Sequence, residues 1–224
     1  MRQRKFKAVL WDLDGTLVDS EPVHGMAFHR AIKELDLKIP ENNEIDLLGK
    51  SEVDVLQVVL EIGGNLSLSE WRKLKWRHYL AVSNNISVIG DVVEIIEELT
   101  AVGIDNAVVS NSNREILNLN LSVVGLDKYF DVSISRDDVK NGKPAPEGYL
   151  TAASRLGFEP GECAVVEDSI PGATAGIDAG MTTILAPQFH LPMEQIPEGV
   201  TYLSPDDELS KSFQKLAIIM RKNE

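Results

Sequence analysis

The chain has 224 residues, a length that suits one large domain or a core domain carrying a smaller insert. Its hydrophobic fraction of 43% and charged fraction of 25% are ordinary for a soluble globular protein. A net charge of −13 argues against nucleic acid or an anionic membrane surface as a partner, and the single cysteine excludes an internal disulfide.

Short apolar runs alternate with helical patterns along most of the chain. The first run, residues 6–11, ends just before Asp12, and further runs predict strands at 105–110, 130–135, 162–167 and 181–186. Only residues 8–11 are apolar before Asp12, which is too short for a signal-peptide core, and no apolar run is long enough for a membrane span. We therefore expect a cytoplasmic protein.

Helical patterns fill the intervals between these runs. Apolar residues at i, i+3, i+4 and i+7 predict a helix over 91–101. Ser112 and Glu115 have the spacing of a capping box, and Pro146 and Pro171 suit the first turns of two further helices. Strand–helix alternation of this kind predicts a doubly wound α/β fold with a mainly parallel, Rossmann-like sheet.

Residues 20–87 interrupt this alternation. Helical patterns occur there at 23–35, 52–62 and 68–82, and no convincing strand pattern is present. We therefore predict two domains, an α/β core formed by residues 1–19 with 88–224 and an inserted all-helical domain formed by residues 20–87.

Polar clusters follow several of the predicted strands. Ligands of open α/β sheets bind at the carboxyl ends of the strands, so these clusters are expected to share one site. Two of them are acidic pairs, Asp12 with Asp14 and Glu167 with Asp168, which are costly to bury unless a cation neutralises them. Taken alone, each pair could instead be a turn or an acidic helix cap.

The other two clusters could bind an anion. Ser110 and Asn111 precede a predicted helix, where a hydroxyl and free amides form an anion site; plain helix capping by Ser112 and its neighbours is the other explanation, and it is compatible with anion binding. Lys143 lies between a glycine and two prolines, which restrict its backbone, but it could be a surface turn lysine. The ordered occurrence of all four clusters argues against four unrelated explanations.

The four clusters together resemble the haloacid dehalogenase superfamily of phosphohydrolases. The segment 12–16 resembles its first motif, Ser110 its second, Lys143 its third and Glu167-Asp168 its fourth. The resemblance extends over nearly the whole chain and is greatest to the branch with β-phosphoglucomutase and phosphoglycolate phosphatase. It implies that residues 20–87 are a helical cap that closes over the site, and that the protein is a monomer.

The resemblance also implies a role for each motif residue. Asp12 would be the nucleophile that forms an aspartyl phosphate, and Asp14 the general acid and base. Mg²⁺ would bind the Asp12 carboxylate, the Asp14 main-chain carbonyl and Asp168, with Glu167 bound directly or through water. Ser110, Asn111 and Lys143 would hold the phosphoryl oxygens. The implied activity is the Mg²⁺-dependent hydrolysis of a small phosphorylated metabolite such as a sugar phosphate.

Two alternatives remain open at this stage. His24 matches a cap histidine of β-phosphoglucomutase, which favours a phosphosugar mutase, but it could also be an ordinary surface residue. Glu52 stands where the mutase has a phosphate-binding arginine, and Lys50 could compensate for it. His24 and Lys50 are therefore candidate contacts to substrate. The second alternative is a non-catalytic binding module, against which the complete set of motif residues argues.

Overall fold

The computed structural model describes residues 6–39 and 52–206. The chain divides into two compact units, one formed by residues 20–86 and the other by residues 1–19 with 87–224. In the part of the chain that the structure describes, no helix is both long and apolar enough to cross a membrane.

The larger unit contains a six-stranded parallel sheet. Its strand order is β5-β4-β1-β6-β7-β8, so the strands extend from the central β1 in both directions. These strands are β1 (Ala8–Trp11), β4 (Asp105–Val109), β5 (Val132–Ile134), β6 (Cys163–Glu167), β7 (Thr182–Leu185) and β8 (Thr201–Tyr202). The predicted doubly wound parallel sheet is confirmed, because β1 pairs in parallel with β4 on one side and with β6 on the other.

Helices connect the strands of the larger unit. They are α4 (Val92–Ala101), α5 (Arg114–Val123), α6 (Glu147–Leu156) and α7 (Ile170–Asp178). The strands β1 and β6 are buried along their whole length, as expected for central strands of a sheet covered on both faces. Leu10, Val109 and Val165 pack with Tyr149 of α6 in one hydrophobic core cluster of this unit.

The smaller unit contains three helices, α1 (Glu21–Glu34), α2 (Glu52–Glu61) and α3 (Leu68–Val82). Their apolar faces form a separate core around Phe28, Val59 and Trp71, with the rings of Phe28 and Trp71 in an edge contact. Ser67 and Glu70 begin α3 with a capping box, which satisfies backbone donors at the helix start. The helical patterns at 23–35, 52–62 and 68–82 thus correspond to real helices.

Three short strands and one helix start differ from the sequence-based expectations. Strand β8 and the antiparallel pair β2 (Val18–Asp19) and β3 (Ser87–Val88) have only two residues each, too few to show a period. The predicted capping box at Ser112 is wrong. Helix α5 is capped by Asn113, whose side chain accepts a hydrogen bond from the Ile116 amide, and the Ser112 side chain bonds elsewhere.

Candidate active site

The carboxyl ends of the three central strands bring the two acidic pairs and Ser110 to one edge of the sheet. Asp12 directly follows β1, Ser110 follows β4, and Glu167 is the last residue of β6. Because β1 pairs with both neighbours in register, these strand ends are adjacent. Sheet topology therefore assembles in one place residues that lie far apart in the sequence.

Lys143 connects the two acidic pairs. Its Nζ lies 2.5 Å from Asp12 Oδ1 and 2.5 Å from Glu167 Oε1, and it donates a third hydrogen bond to the Val109 carbonyl at 2.8 Å. Its side chain is only 6% exposed. Burial lowers the pKa of Lys143, but Asp12 and Glu167 outweigh this effect and raise it above the ordinary value. The residue is therefore a buried ammonium ion rather than a solvated surface lysine.

Three carboxylates form a compact cluster beside this ammonium ion. One oxygen from each of Asp12, Glu167 and Asp168 lies within 4.8 Å of the others. Burial and the charge of Glu167 raise the pKa of Asp12 well above its usual range, and the same causes raise the pKa of Asp168 to about 7. One lysine thus compensates only part of the negative charge that the three acids would carry, and binding of a further cation would be favourable.

The cluster fits a hard divalent cation. Asp12 Oδ2 is buried and has no hydrogen-bond partner among the residues that the structure describes, although buried polar atoms are nearly always paired. Carboxylate oxygens are the ligands that Mg²⁺ prefers. Gly15, at φ +93°, keeps the space beside Asp168 open, since a Cβ there would lie 2.1 Å from Asp168 Oδ2.

Glu167 is fixed by several donors besides Lys143. It is completely buried, and its Oε1 accepts a hydrogen bond from the Tyr149 hydroxyl at 2.7 Å. Its Oε2 accepts from the Ser169 hydroxyl at 3.0 Å. A Cβ on Gly172 would lie 1.8 Å from Glu167 Oε1, so only glycine leaves room for the carboxylate. Glu167 consequently holds Lys143 in place, whether or not it also binds a metal.

The Asp14 side chain is held by donors from the loop after β4 and from α5. Its Oδ2 accepts hydrogen bonds from the hydroxyls of Ser110, at 3.1 Å, and Ser112, at 2.8 Å. Its Oδ1 accepts one from Asn120 Nδ2 at 3.0 Å. The two aspartates of the first motif thus have separate environments, as a nucleophile and a separate proton donor require. The expected metal contact through the Asp14 main-chain carbonyl stays a prediction.

The side chain of Asn111 forms two hydrogen bonds with the backbone of Lys143. Asn111 Oδ1 accepts a hydrogen bond from the Lys143 amide at 2.9 Å, and Asn111 Nδ2 donates to the Lys143 carbonyl at 3.1 Å. This reciprocal pair fixes the loop that carries the lysine. Binding of phosphate by Asn111 stays a prediction, but a structural role of its side chain is evident.

The two candidate contacts of the smaller unit have different outcomes. His24 lies in α1, with its ring 4.7 Å from that of Tyr79, so it packs within this unit. Lys50 lies outside the described residues. Glu52 pairs with Lys75 at 2.6 Å, a partner that the sequence reasoning did not identify, and its negative charge is therefore compensated.

Comparison with known proteins identifies the family of this chain. The family model described as haloacid dehalogenase-like hydrolase matches residues 6–180, most of the chain. The chain belongs to the haloacid dehalogenase-like hydrolases. The resemblance inferred from the four motifs is thereby confirmed.

Two relatives that align with most of the chain are phosphatases by name. A phosphorylated carbohydrates phosphatase of Thermotoga maritima is 33% identical over 181 residues, covering 80% of this chain and 83% of that protein. A fructose-1-phosphate phosphatase of Escherichia coli is 29% identical over 188 residues, covering 80% and 96%. The expectation of an enzyme of the phosphatase type is confirmed by these matches.

Two further matches are a longer protein and a solved structure. A bifunctional riboflavin kinase/FMN phosphatase of Arabidopsis thaliana is 30% identical over 80% of this chain, but the chain spans only 48% of that protein. The solved structure of a Thermotoga maritima protein assigned as a β-phosphoglucomutase superposes with a TM-score of 0.81 at 26% identity. The superposition covers 96% of this chain and 100% of the other.

Sequence reasoning missed three residues of the site. Ser112 was assigned to helix capping, whereas its hydroxyl contacts Asp14. Tyr149 and Asn120 lie inside α6 and α5 and look like ordinary helix residues in the sequence. No local pattern could identify them, because Asn120 is 106 positions from the Asp14 side chain that it contacts.

Proposed function

We propose that the protein is a Mg²⁺-dependent phosphatase that hydrolyses a small phosphorylated metabolite through an aspartyl phosphate on Asp12. The observation that carries this proposal is the Asp12–Lys143–Glu167 arrangement, with a buried ammonium ion 2.5 Å from the carboxylate that would attack phosphorus. A lysine in this position fixes the nucleophile and supplies positive charge for an anionic substrate. The strongly negative chain needs such local positive charge.

The reaction would take place in two displacements. In the first, an Asp12 carboxylate oxygen forms a bond to phosphorus while the bond from phosphorus to the leaving oxygen breaks, and Asp14 transfers a proton to that oxygen. In the second, a water molecule attacks the phosphorus of the aspartyl phosphate, and Asp14 accepts a proton from that water. The Asp12–phosphorus bond then breaks, inorganic phosphate leaves and both aspartates return to their starting states.

Asp12, Asp168 and Glu167 would hold the metal, together with the Asp14 main-chain carbonyl. A bound Mg²⁺ would reduce the repulsion between the attacking carboxylate and the phosphate and would stabilise negative charge in the transition state. Ser110, the Asn111 amide and Lys143 would hold the phosphoryl oxygens.

The names of the relatives favour a sugar phosphate as the substrate class of this protein. The named substrates of two relatives are fructose 1-phosphate and phosphorylated carbohydrates. Other relatives are named pyrophosphatases, so pyrophosphate belongs in the same test. We propose residues 20–87 as the cap that recognises the remainder of the substrate.

A phosphosugar mutase is the second candidate, favoured by His24 and by the assignment of the Thermotoga maritima structure. A mutase of this type must bind a second phosphate in its cap. Glu52 stands where an arginine is expected, and its ion pair with Lys75 compensates its charge without providing a free cation. A substrate with a single phosphate therefore fits these residues better.

The proposal can be tested by measuring phosphate release from a panel of substrates with Mg²⁺ and with EDTA. The panel contains hexose and pentose monophosphates, phosphoglycolate, pyrophosphate and nucleotides. We expect metal-dependent release from a small group of monophosphates. Interconversion of phosphosugars that requires a bisphosphate activator, without net phosphate release, would favour the mutase instead.

Two variants test the mechanism. Asp12→Asn should abolish turnover and also the acid-stable, hydroxylamine-sensitive labelling of the protein by substrate carrying radioactive phosphate. Asp105→Asn is the matched control, because Asp105 is an exposed aspartate at the opposite end of neighbouring strand β4. Full activity of the Asp12→Asn variant would contradict the proposed intermediate.

A further inference from the structure

Asn120 of helix α5 has a buried amide that contacts the proposed acid/base residue. Its side chain is 0% exposed and shares the inner face of α5 with Leu117 and Leu121. Burying a primary amide among apolar side chains is unfavourable unless it is hydrogen-bonded. Asn120 Nδ2 lies 3.0 Å from Asp14 Oδ1, so the amide donates to a carboxylate that the proposed reaction requires.

Hydrogen-bond donors reach Asp14 from two directions. Ser110 and Ser112, in the loop after β4, donate to Oδ2, whereas Asn120 donates to Oδ1 from the helix that follows. A hydroxyl carries one proton, so Ser110 cannot donate to Asp14 and to a phosphoryl oxygen simultaneously. Once Ser110 binds substrate, Asp14 loses that hydrogen bond, whereas the donors Ser112 and Asn120 stay in place.

We propose that Asn120 is a positioning residue that fixes the Asp14 carboxyl for proton transfer to the leaving oxygen. This inference rests on the proposed phosphatase function and deepens it. General acid catalysis requires the donor to lie within hydrogen-bond reach of the oxygen that it protonates. An anchor on Oδ1 restricts rotation of the carboxyl while Oδ2 exchanges partners.

The leaving group provides a readout that a merely structural role would not change. An alkoxide leaving from a hexose phosphate needs a proton, whereas p-nitrophenolate leaves readily without one. The ratio kcat/KM reports the steps up to formation of the aspartyl phosphate. Loss of proton transfer should therefore lower kcat/KM for the hexose phosphate far more than for p-nitrophenyl phosphate.

The experiment compares Asn120→Leu with the wild-type protein on both substrates in the presence of Mg²⁺. We expect kcat/KM for the best hexose monophosphate to fall by about 100-fold, near the lower limit for removal of general acid catalysis. We expect less than about a 3-fold change for p-nitrophenyl phosphate, because little of the acid effect operates there. Asn120→Ala is smaller, and the same contrast is expected from it if the leucine variant does not fold.

Two controls on the same helix separate positioning from packing. Asn118→Leu changes an exposed asparagine two residues away and should leave both ratios unchanged. Leu121→Ala weakens the packing of α5 beside Asn120 and should lower the melting temperature without changing the contrast between substrates. Melting temperatures of all variants are measured in the same buffer.

Two results would overturn the inference while leaving the phosphatase function intact. One is an equal loss on both substrates in the Asn120 variants, and the other is the same contrast in Leu121→Ala. A wild-type protein that hydrolyses neither substrate would instead contradict the proposed function itself, and this inference with it.

Discussion

Replacing Lys143 by methionine removes the only cation within hydrogen-bond distance of Asp12 and Glu167 among the described residues, at an almost unchanged side-chain volume. The lysine side chain is 6% exposed and those of its two partners are 10% and 0% exposed. Removing one member of a buried ion pair commonly costs about 3–5 kcal/mol, because the other charge stays buried without compensation. We therefore expect Lys143→Met to lose about 3–5 kcal/mol of unfolding free energy at pH 8 in EDTA.

The assay is urea unfolding monitored by circular dichroism, with and without Mg²⁺. Lys140→Met is the matched control, since Lys140 is an exposed lysine three residues earlier, and its loss should stay below about 0.5 kcal/mol. Saturating Mg²⁺ should restore part of the stability of Lys143→Met, because the cation binds the folded carboxylate cluster. Activity should be lost in both conditions.

The loss should also depend on pH. The pKa values of Asp12 and Asp168 are already raised by burial and by Glu167, so these groups accept protons readily once the ammonium ion is removed. The difference between Lys143→Met and wild type should therefore be smaller at pH 5 than at pH 8. Equal stability of the two proteins at pH 8 in EDTA would refute the view that this lysine neutralises the cluster.

Two further predictions concern the same cluster. Gly172→Ala should reduce stability by about 1–3 kcal/mol and lower kcat, because its Cβ would overlap Glu167 Oε1, whereas Gly161→Ala has open space and should change neither. The free energy of unfolding of the metal-free wild type should fall as the pH rises from 5 to 7. Burial and Glu167 raise the folded-state pKa of Asp168 to about 7 from 3.8, so the folded chain binds more protons than the unfolded chain in this range. Urea midpoints in EDTA measure this slope, and its persistence in Asp168→Asn would contradict the assignment.

The amino-acid sequence determined the fold class and the composition of the site. Strand and helix periods are local properties, so the central strands and helices α1 to α4 follow from the pattern of apolar residues, while Pro146 and Pro171 indicate the starts of α6 and α7. The acidic pairs, Ser110 and Lys143 each follow a strand end or lie in the loop beyond it. The rule that parallel strands present their carboxyl ends at one edge of the sheet was sufficient to place them together.

Only the tertiary structure decided how these residues are paired. Lys143 joins Asp12 to Glu167, and Asn120 and Ser112 hold Asp14, through contacts between segments far apart in the chain. Such contacts depend on how a helix packs on the sheet and which rotamer is adopted, and neither leaves a periodic signal in the sequence. For the same reason the sequence predicts a helix cap at Ser112, whereas in the folded chain Asn113 caps the helix and the Ser112 hydroxyl donates to Asp14.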